Sequence, residues 1–156
     1  MNPRKKSRTA RLPGGPGDAV PCPCGSQHAY ADCCGPLHEG APAPDAAALM
    51  RSRYSAYVMG LHGYLLATWH PSTRPQQVDL DVDPSPRWLG LEIRRHVPTG
   101  PDTAIAEFVA RYRLAGRAQR LHEVSRFVRV DGRWYYLDGD FPASGSMVTA
   151  ACDAAG

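Results

Sequence analysis

The sequence predicts an α+β domain preceded by a small metal-binding knuckle, and three observations support this fold class. Four of the five cysteines lie within residues 22–34. Residues 45–70 have apolar positions at helical spacing. From residue 88 onward, β-branched and aromatic residues concentrate between regular turn signals. The chain has 156 residues and 43% hydrophobic content, so it can bury one core of ordinary size.

The cysteines have the spacing of a structural zinc site. Cys22 and Cys24 form one pair, and Cys33 and Cys34 form the other. Zn²⁺ prefers a tetrahedron of soft donors delivered from two short turns, so we expect all four thiolates to bind one structural zinc ion. Glycine tolerates left-handed backbone angles, and the glycines at 25 and 35 are expected to use them to turn the chain around the ion.

Three alternatives to this zinc site stay open. Two disulfides would need an oxidising compartment, whereas the basic start of the chain is not followed by the apolar run of a signal peptide, so a cytoplasmic location is expected. His28 or His38 could replace one thiolate, and iron could replace zinc. A site closed by four thiolates has no open coordination position, so metal catalysis is not expected.

The two ends of the chain are predicted to lie outside the domain. Residues 1–20 form a basic leader, expected to be disordered, in which nucleic-acid contact is a minor alternative. Its cations precede any acidic residue, and they are Arg4, Lys5, Lys6, Arg8 and Arg11. Residues 143–156, including Cys152, form a small-residue tail without a readable signal. No membrane span is predicted.

The knuckle, residues 21–38, is followed by a proline-rich linker and then by a domain over residues 43–142. Asp45 is a favourable N-cap for a helix that ends near Gly60. Tyr64–His70 is predicted as a second, short helix that Pro71 stops. Residues through 86 are expected to form loops, because prolines and acidic residues dominate them.

Four strands are predicted after the helices. The turn Asp131-Gly132 favours a tight hairpin, and similar signals separate the other strands, so they form an antiparallel meander. A curved sheet wrapped on two helices would enclose a cone. The predicted strands are 88–97, 103–114, 119–130 and 133–138.

Two resemblances add to this interpretation. The run Cys22-Pro-Cys24-Gly-Ser…Tyr30…Cys33-Cys34-Gly resembles the SEC-C motif, a zinc knuckle also found at the C-terminal tail of the SecA translocation motor. Four further segments resemble the uncharacterised bacterial YchJ-like family, and they are Leu49–Tyr57, Tyr64–Arg74, Trp88–Ile93 and Gly132–Asp138. This similarity implies a nuclear-transport-factor-2-like cone, and the knuckle's similarity implies a protein or ribosomal partner.

Eight residues are candidates for a pocket in the cone. His122 alternates with Val124, Val128 and Val130, so it is expected to enter the cone, as an acid or base or as a hydrogen-bonded residue of the core or rim. Glu107 is about 13 Å from Arg111 along its strand and should find cross-strand partners. The full set is Arg51, Tyr54, Trp69, His70, Trp88, Glu107, His122 and Trp134.

A simpler role is preferred for several of these side chains. The three tryptophans are expected to pack in the core or at its rim. His70 is expected to cap the second helix. Arg51 and Arg53 flank the apolar stripe of the first helix, where they either pair with the sheet or line a pocket mouth.

Three classes of function follow from these patterns. The favoured one is a binding module in which the zinc knuckle is the recognition surface. The alternative is small-molecule binding or enzymatic activity in the cone, for which no catalytic residue is assigned, because phosphate-loop, nucleophile-elbow and zinc-protease signatures do not occur. The third is a purely structural zinc that fastens the N-terminal segment to the domain.

Overall fold

The computed structural model describes residues 20–142, so the predictions for residues 1–19 and 143–156 lie outside the described residues. A 3₁₀ turn, Tyr30–Asp32, precedes three helices, α1 Cys34–His38, α2 Ala46–Met59 and α3 His62–Ala67. Four strands follow, β1 Arg87–Gly100, β2 Thr103–Leu114, β3 Arg117–Val130 and β4 Arg133–Asp140.

Helix α2 begins and ends at the predicted residues. The Asp45 side chain accepts a hydrogen bond from the Ala48 amide at 2.7 Å, which satisfies one of the free N–H groups of the first turn. Gly60 ends the helix in the left-handed conformation, with φ of 73°. No helix in the part of the chain that the structure describes is long and apolar enough to cross a membrane.

Helix α3 is shorter than predicted, because the residues after it pair with the edge of the sheet. It ends at Ala67. The His70 amide donates to the Tyr136 carbonyl at 2.8 Å, and the Tyr136 amide donates to the Thr68 carbonyl at 2.8 Å. Residues 68–70 therefore extend along β4, and the expectation that His70 caps the helix is wrong. Its Nδ1 lies 2.8 Å from the Ser72 hydroxyl.

The four strands form the predicted antiparallel meander, in the order β1-β2-β3-β4. The β3–β4 hairpin turns at Asp131 and Gly132, whose φ angles of 52° and 82° are those of a type I′ turn. Ala115 and Gly116 turn the β2–β3 hairpin in the same way, with φ angles of 50° and 81°. The α+β fold class is confirmed.

One face of the sheet packs on α2 and forms the core. Alternate residues of β2 are buried on this inner face, as the alternation in the sequence predicts. The same buried cluster continues into the knuckle through Cys22, Cys24, Cys34 and Leu37. The knuckle and the domain therefore share a hydrophobic core, although the sequence suggests two separate modules. The buried residues of β2 on this face are Ala104, Ala106, Phe108, Ala110 and Tyr112.

Strand register places His122 on the other face of the sheet. His122 lies opposite Val109, whereas Glu123 lies opposite the buried Phe108. The prediction that His122 faces the cone is wrong, because the valines that flank it lie on the outer face and not in the core. Its Nε2 is 2.7 Å from Glu107 Oε2, so Glu107 has the cross-strand partner that was expected.

Candidate metal centre

The four clustered cysteines lie close enough to hold one metal ion. Their sulfur atoms all lie within 4.8 Å of one another. Cys24 Sγ is 3.6 Å from Cys33 Sγ, and Cys33 Sγ is 4.0 Å from Cys34 Sγ. A disulfide would require about 2.05 Å, whereas a tetrahedron with Zn–S bonds of about 2.3 Å has sulfur–sulfur edges of roughly 3.8 Å. The arrangement fits four thiolates around one ion.

Two glycines shape the knuckle, but for different reasons. Gly25 has a φ of 81°, and its amide donates to the Cys22 carbonyl to close the first turn. Gly35 lies inside α1, where a Cβ atom would be 2.8 Å from the Tyr30 carbonyl oxygen. The expectation of a left-handed Gly35 is therefore wrong. This position requires glycine because the backbone of Tyr30 approaches it closely.

Helix α2 supplies polar groups to the sulfur atoms. The Ser55 hydroxyl is fully buried, donates to Cys34 Sγ at 3.4 Å and lies 3.6 Å from Cys22 Sγ. The Arg51 guanidinium donates to the Cys24 carbonyl at 3.5 Å. The hydrogen bond from Ser55 to a sulfur atom is of the kind that orients a metal ligand and stabilises its negative charge, whereas Arg51 holds the backbone of Cys24. Ser55 was not predicted, since nothing in the sequence indicates which serine of α2 faces the knuckle.

The sulfur atoms also interact with one another. A hydrogen bond from the Cys34 thiol lowers the pKa of Cys24 to about 4. The same hydrogen bond, together with burial, raises the pKa of Cys34. Burial raises the pKa of Cys33. Thiols must lose their protons to bind a metal, so binding at this site would release protons to solvent.

His38 is not available as a metal ligand. Its Nε2 donates to the Ser52 carbonyl at 2.8 Å, so its Nδ1 is the atom that accepts the 2.6 Å hydrogen bond from the Tyr30 hydroxyl. Both ring nitrogens are thus used, because Nδ1 binds Tyr30 within the knuckle and Nε2 joins the knuckle to α2. His28 is exposed on the turn between the two cysteine pairs. The four sulfur atoms come together without a histidine.

The other predicted pocket residues do not surround one cavity. Tyr54 packs edge-on against Trp88, with ring centroids 5.7 Å apart, and Trp88 also contacts Tyr112. Glu107 and His122 lie on the outer face of the sheet, where Arg95 donates to Glu107 at 3.2 Å.

Trp134, another tryptophan of the predicted set, lies at one end of the sheet. The guanidinium of Arg129 stacks on Trp134, 5.3 Å from the centre of its ring. Trp134 also lines a groove of about 400 Å³ between α1, the linker, α3 and β4. This groove is at the rim of the cone and not inside it.

A buried charged cluster occupies the interior instead. Arg53 and Glu123 are only 3% and 6% exposed. The Arg53 guanidinium is 5.0 Å from the centre of the Trp69 ring and 4.7 Å from that of Tyr136, and it donates to the Thr68 hydroxyl at 2.7 Å. The Tyr136 hydroxyl donates to Glu123 Oε2 at 2.6 Å. These side chains fill the cone with polar contacts.

The sequence indicates Arg53 as a residue next to the apolar stripe, but it does not indicate the buried carboxylate in the same cluster. Arg53 follows Met50 by three residues, which places it next to the buried stripe of α2. Glu123 neighbours His122 on β3, and the valines of this strand misleadingly mark the wrong face as buried. Only the register with β2 identifies Glu123 as the buried residue.

Burial controls the ionisation of this cluster. Desolvation raises the pKa of Glu123, while the hydrogen bond from Tyr136 and the nearby charge of Arg53 act in the opposite direction. Burial and the charge of Glu123 raise the pKa of Tyr136. The folded protein therefore binds a proton at Glu123 over a pH range in which the unfolded chain has released it.

Replacing Glu123 with glutamine is expected to change the pH dependence of stability. Because the pKa of Glu123 is raised, wild-type stability falls as pH rises from about 4.5 through the folded-state pKa. The glutamine variant lacks this titration, so its free energy of unfolding should improve relative to wild type as pH rises. Urea unfolding over this range measures the difference.

Glu107→Gln is the control, and the pKa shift of this carboxyl has the opposite direction. Hydrogen bonds from His122 and Arg95 lower the pKa of Glu107, so the advantage of wild type over this variant should disappear as pH falls. Identical pH profiles for the two variants would contradict the assignment of Glu123 as the buried carboxyl.

Gly139→Ala is expected to disrupt the same cluster. A Cβ atom at Gly139 would overlap the Glu123 carboxylate, with the Cδ atom only 2.7 Å away. Glu123 would have to move from Tyr136, and we expect a loss of about 1–3 kcal/mol in the free energy of unfolding. Gly90→Ala, on β1, is the matched control because nothing lies within 4 Å of its Cβ position. Equal effects in thermal unfolding would contradict the predicted contact.

Comparison with known proteins places the chain in a family. The family model described as "YchJ, middle NTF2-like domain" matches residues 45–139, and the SEC-C motif matches residues 20–36. The chain belongs to the YchJ family. A UPF0225 protein of this family from Methylibium petroleiphilum is 62% identical over 78% of this chain and 88% of its own length. One from Xanthomonas campestris is 59% identical over 76% of this chain and 92% of its own.

Solved structures with the SEC-C motif have the same fold as this YchJ-family chain. The solution structure of a SEC-C motif containing protein from Rhodopseudomonas palustris has a TM-score of 0.69 and 36% identity, covering 78% of this chain and 98% of that one. The crystal structure of a SEC-C motif containing protein from Psychrobacter arcticus has a TM-score of 0.64 and 28% identity, covering 86% of this chain and 96% of that one. The predicted resemblance and fold are both confirmed.

Proposed function

We propose that this protein is a cytoplasmic zinc-binding interaction module whose knuckle is the recognition surface for a protein or ribosomal partner. The observation that supports it is the cluster of four sulfur atoms within 4.8 Å. The zinc ligands in this proposal are Cys22, Cys24, Cys33 and Cys34. Four thiolates fill the tetrahedral coordination sphere of a zinc ion, so the ion stabilises the fold and has no open position for catalysis.

The knuckle has one anchored side and one free side. His38 and Ser55 join the anchored side to α2. The turn between the cysteine pairs is exposed at Gln27, His28 and Asp32. A bound ion would hold this turn in one conformation, which lowers the entropy lost when a partner binds. These features support a rigid recognition surface.

The alternative, a small-molecule site, has one supporting observation. The groove of about 400 Å³ at the rim has the volume of an ordinary ligand pocket, and Tyr64 and Trp134 line it. The interior of the cone is filled by Arg53, Glu123 and their partners. A small molecule would therefore bind in the groove beside the knuckle, and a change in tryptophan fluorescence during a ligand screen that is lost in Trp134→Phe would detect it.

Cosedimentation with bacterial ribosomes, with chemical crosslinking of the bound fraction, tests the interaction proposal. The double variant Gln27→Ala/His28→Ala changes the exposed turn without removing a cysteine. We expect it to keep its metal and to lose binding and knuckle crosslinks. Gln76→Ala/Gln77→Ala removes an exposed polar pair outside the knuckle and is the matched control. Unchanged binding in the first variant would contradict the knuckle as the recognition surface.

A further inference from the structure

We infer that a cluster of arginines on the outer face of the sheet binds the phosphate backbone of double-stranded nucleic acid. The cluster lies where β1 begins and the β2–β3 hairpin turns. It is separate from the cysteine centre and does not depend on a bound metal. We call it the arginine patch, and its members are Arg87, Arg111, Arg113 and Arg120.

Strand register brings the four side chains together. Arg87 lies directly opposite Arg113, and Arg111 lies directly opposite Arg120. Residues directly opposite across a strand pair have Cβ atoms about 5 Å apart, and alternate residues of one strand are roughly 7 Å apart on the same face. Arg111 contacts Glu92 at 3.7 Å, on the face away from α2. The patch is therefore a compact array of guanidinium groups.

This array is under-neutralised within the described residues. Like charges directly opposite each other destabilise a sheet, and the patch contains two such pairs. Glu92 is the carboxylate beside the patch, and it is shared between Arg111 and Arg94. Among residues 20–142, no carboxylate lies within ion-pair distance of Arg87, Arg113 or Arg120. All four patch side chains are exposed.

Several other arginines of the same sheet are neutralised by carboxylates. Arg126 is 2.6 Å from Asp138 and 2.7 Å from Asp140, and Arg129 is 2.9 Å from Asp102. Arg117 and Arg133 of this sheet also have no carboxylate partner among the described residues, so the patch differs from the rest of the sheet in the clustering of its unpaired charges. An external anion would remove the repulsion that the patch contains.

The chemistry of the patch favours phosphate over an acidic protein. A guanidinium group presents a planar fork of donors that matches phosphate oxygens. Protein interfaces are usually built around an aromatic or apolar centre, and no aromatic side chain lies on this part of the outer face. Single-stranded nucleic acid is bound by stacking its bases on aromatic rings. A double-stranded backbone, recognised by charge alone, fits these residues best.

The test measures binding of the full-length chain to a short RNA duplex and to a DNA duplex of the same sequence, by fluorescence anisotropy at several salt concentrations. The variant Arg113→Gln/Arg120→Gln removes two patch charges. Arg126→Gln/Arg129→Gln removes the same charge from ion-paired positions and is the matched control. The basic leader is identical in all proteins, so its contribution cancels.

We expect the patch variant to bind on the order of tenfold more weakly at low salt, with the slope of log affinity against log salt reduced by about 2. Its melting temperature should not fall, whereas that of the control variant should. Weaker binding to either duplex in the patch variant alone supports the inference. Equal losses of affinity in both variants would overturn it. A chain that binds neither duplex but binds a polyglutamate peptide would also overturn it. A chelator should leave duplex binding unchanged, which separates this result from the fate of the proposed metal site.

Discussion

Replacing Cys24 with serine is expected to release the metal and unfold residues 21–38, while the sheet keeps its structure. Structural zinc contributes on the order of 10–16 kcal/mol to sites of this size. Because the knuckle and domain share a core, the melting temperature of the whole protein should also fall, by at least about 10 °C. Amide hydrogen exchange locates the change.

The hydrogen-exchange pattern is specific. Knuckle amides such as those of Cys22 and Tyr30, which donate to His28 and Val20 carbonyls, should lose protection. The side of α2 that carries Ser55 should exchange faster, while β2 and β3 stay protected. Ser26→Ala is a control that keeps all four cysteines and removes only the two contacts of the Ser26 hydroxyl, which are 3.1 Å to Cys33 Sγ and 3.2 Å to the His28 amide. Simultaneous loss of protection in the knuckle and the sheet would show that they unfold as one unit.

Arg53→Met is expected to be the most destabilising substitution in the domain itself. Methionine keeps much of the packing against Trp69 and Tyr136 but leaves the Glu123 carboxylate buried without its nearby cation. The substitution also leaves the buried Leu65 carbonyl and the Thr68 hydroxyl without their charged donor, and losing such hydrogen bonds typically lowers the free energy of unfolding by about 1.5–3 kcal/mol each. Chemical denaturation measures this loss.

Two further variants separate charge from packing. Arg51→Met, two residues earlier on α2, removes one long hydrogen bond to a backbone carbonyl and should cost no more than about 1 kcal/mol. The double variant Arg53→Met/Glu123→Gln removes both charges and should recover part of the loss. If the double variant were as unstable as the sum of the two single variants, Glu123 and Arg53 would not be coupled.

The sequence predicts the helix ends and the hairpin turn of this fold, because these depend on residues that are neighbours in the chain. The Asp45 cap, the Gly60 terminus and the Asp131-Gly132 hairpin each follow from the backbone preferences of one or two residues, and the structure has them at those positions. The four cysteines were grouped by spacing alone, and the structure brings their sulfur atoms together.

Features that depend on register or on long-range contacts could not be predicted in this way. A strand pattern shows that residues alternate between two faces, but it does not show which face meets the helices. For this reason the pattern of β3 favours His122 as the inward residue, whereas the register with β2 makes it Glu123. The end of α3 depends on pairing of residues 68–70 with β4, more than sixty residues away. The contact of Ser55 with the cysteines requires knowing that the knuckle packs on α2.

Metal content of the untagged full-length protein, measured by native mass spectrometry together with elemental analysis, tests the central claim most directly. We predict one zinc ion per chain, lost in Cys24→Ser and retained in Cys152→Ser, which removes the one cysteine outside the cluster. The thiol masses should show no disulfide. A chain without bound metal, with iron in place of zinc, or with oxidised cysteine pairs would contradict the four-thiolate zinc centre.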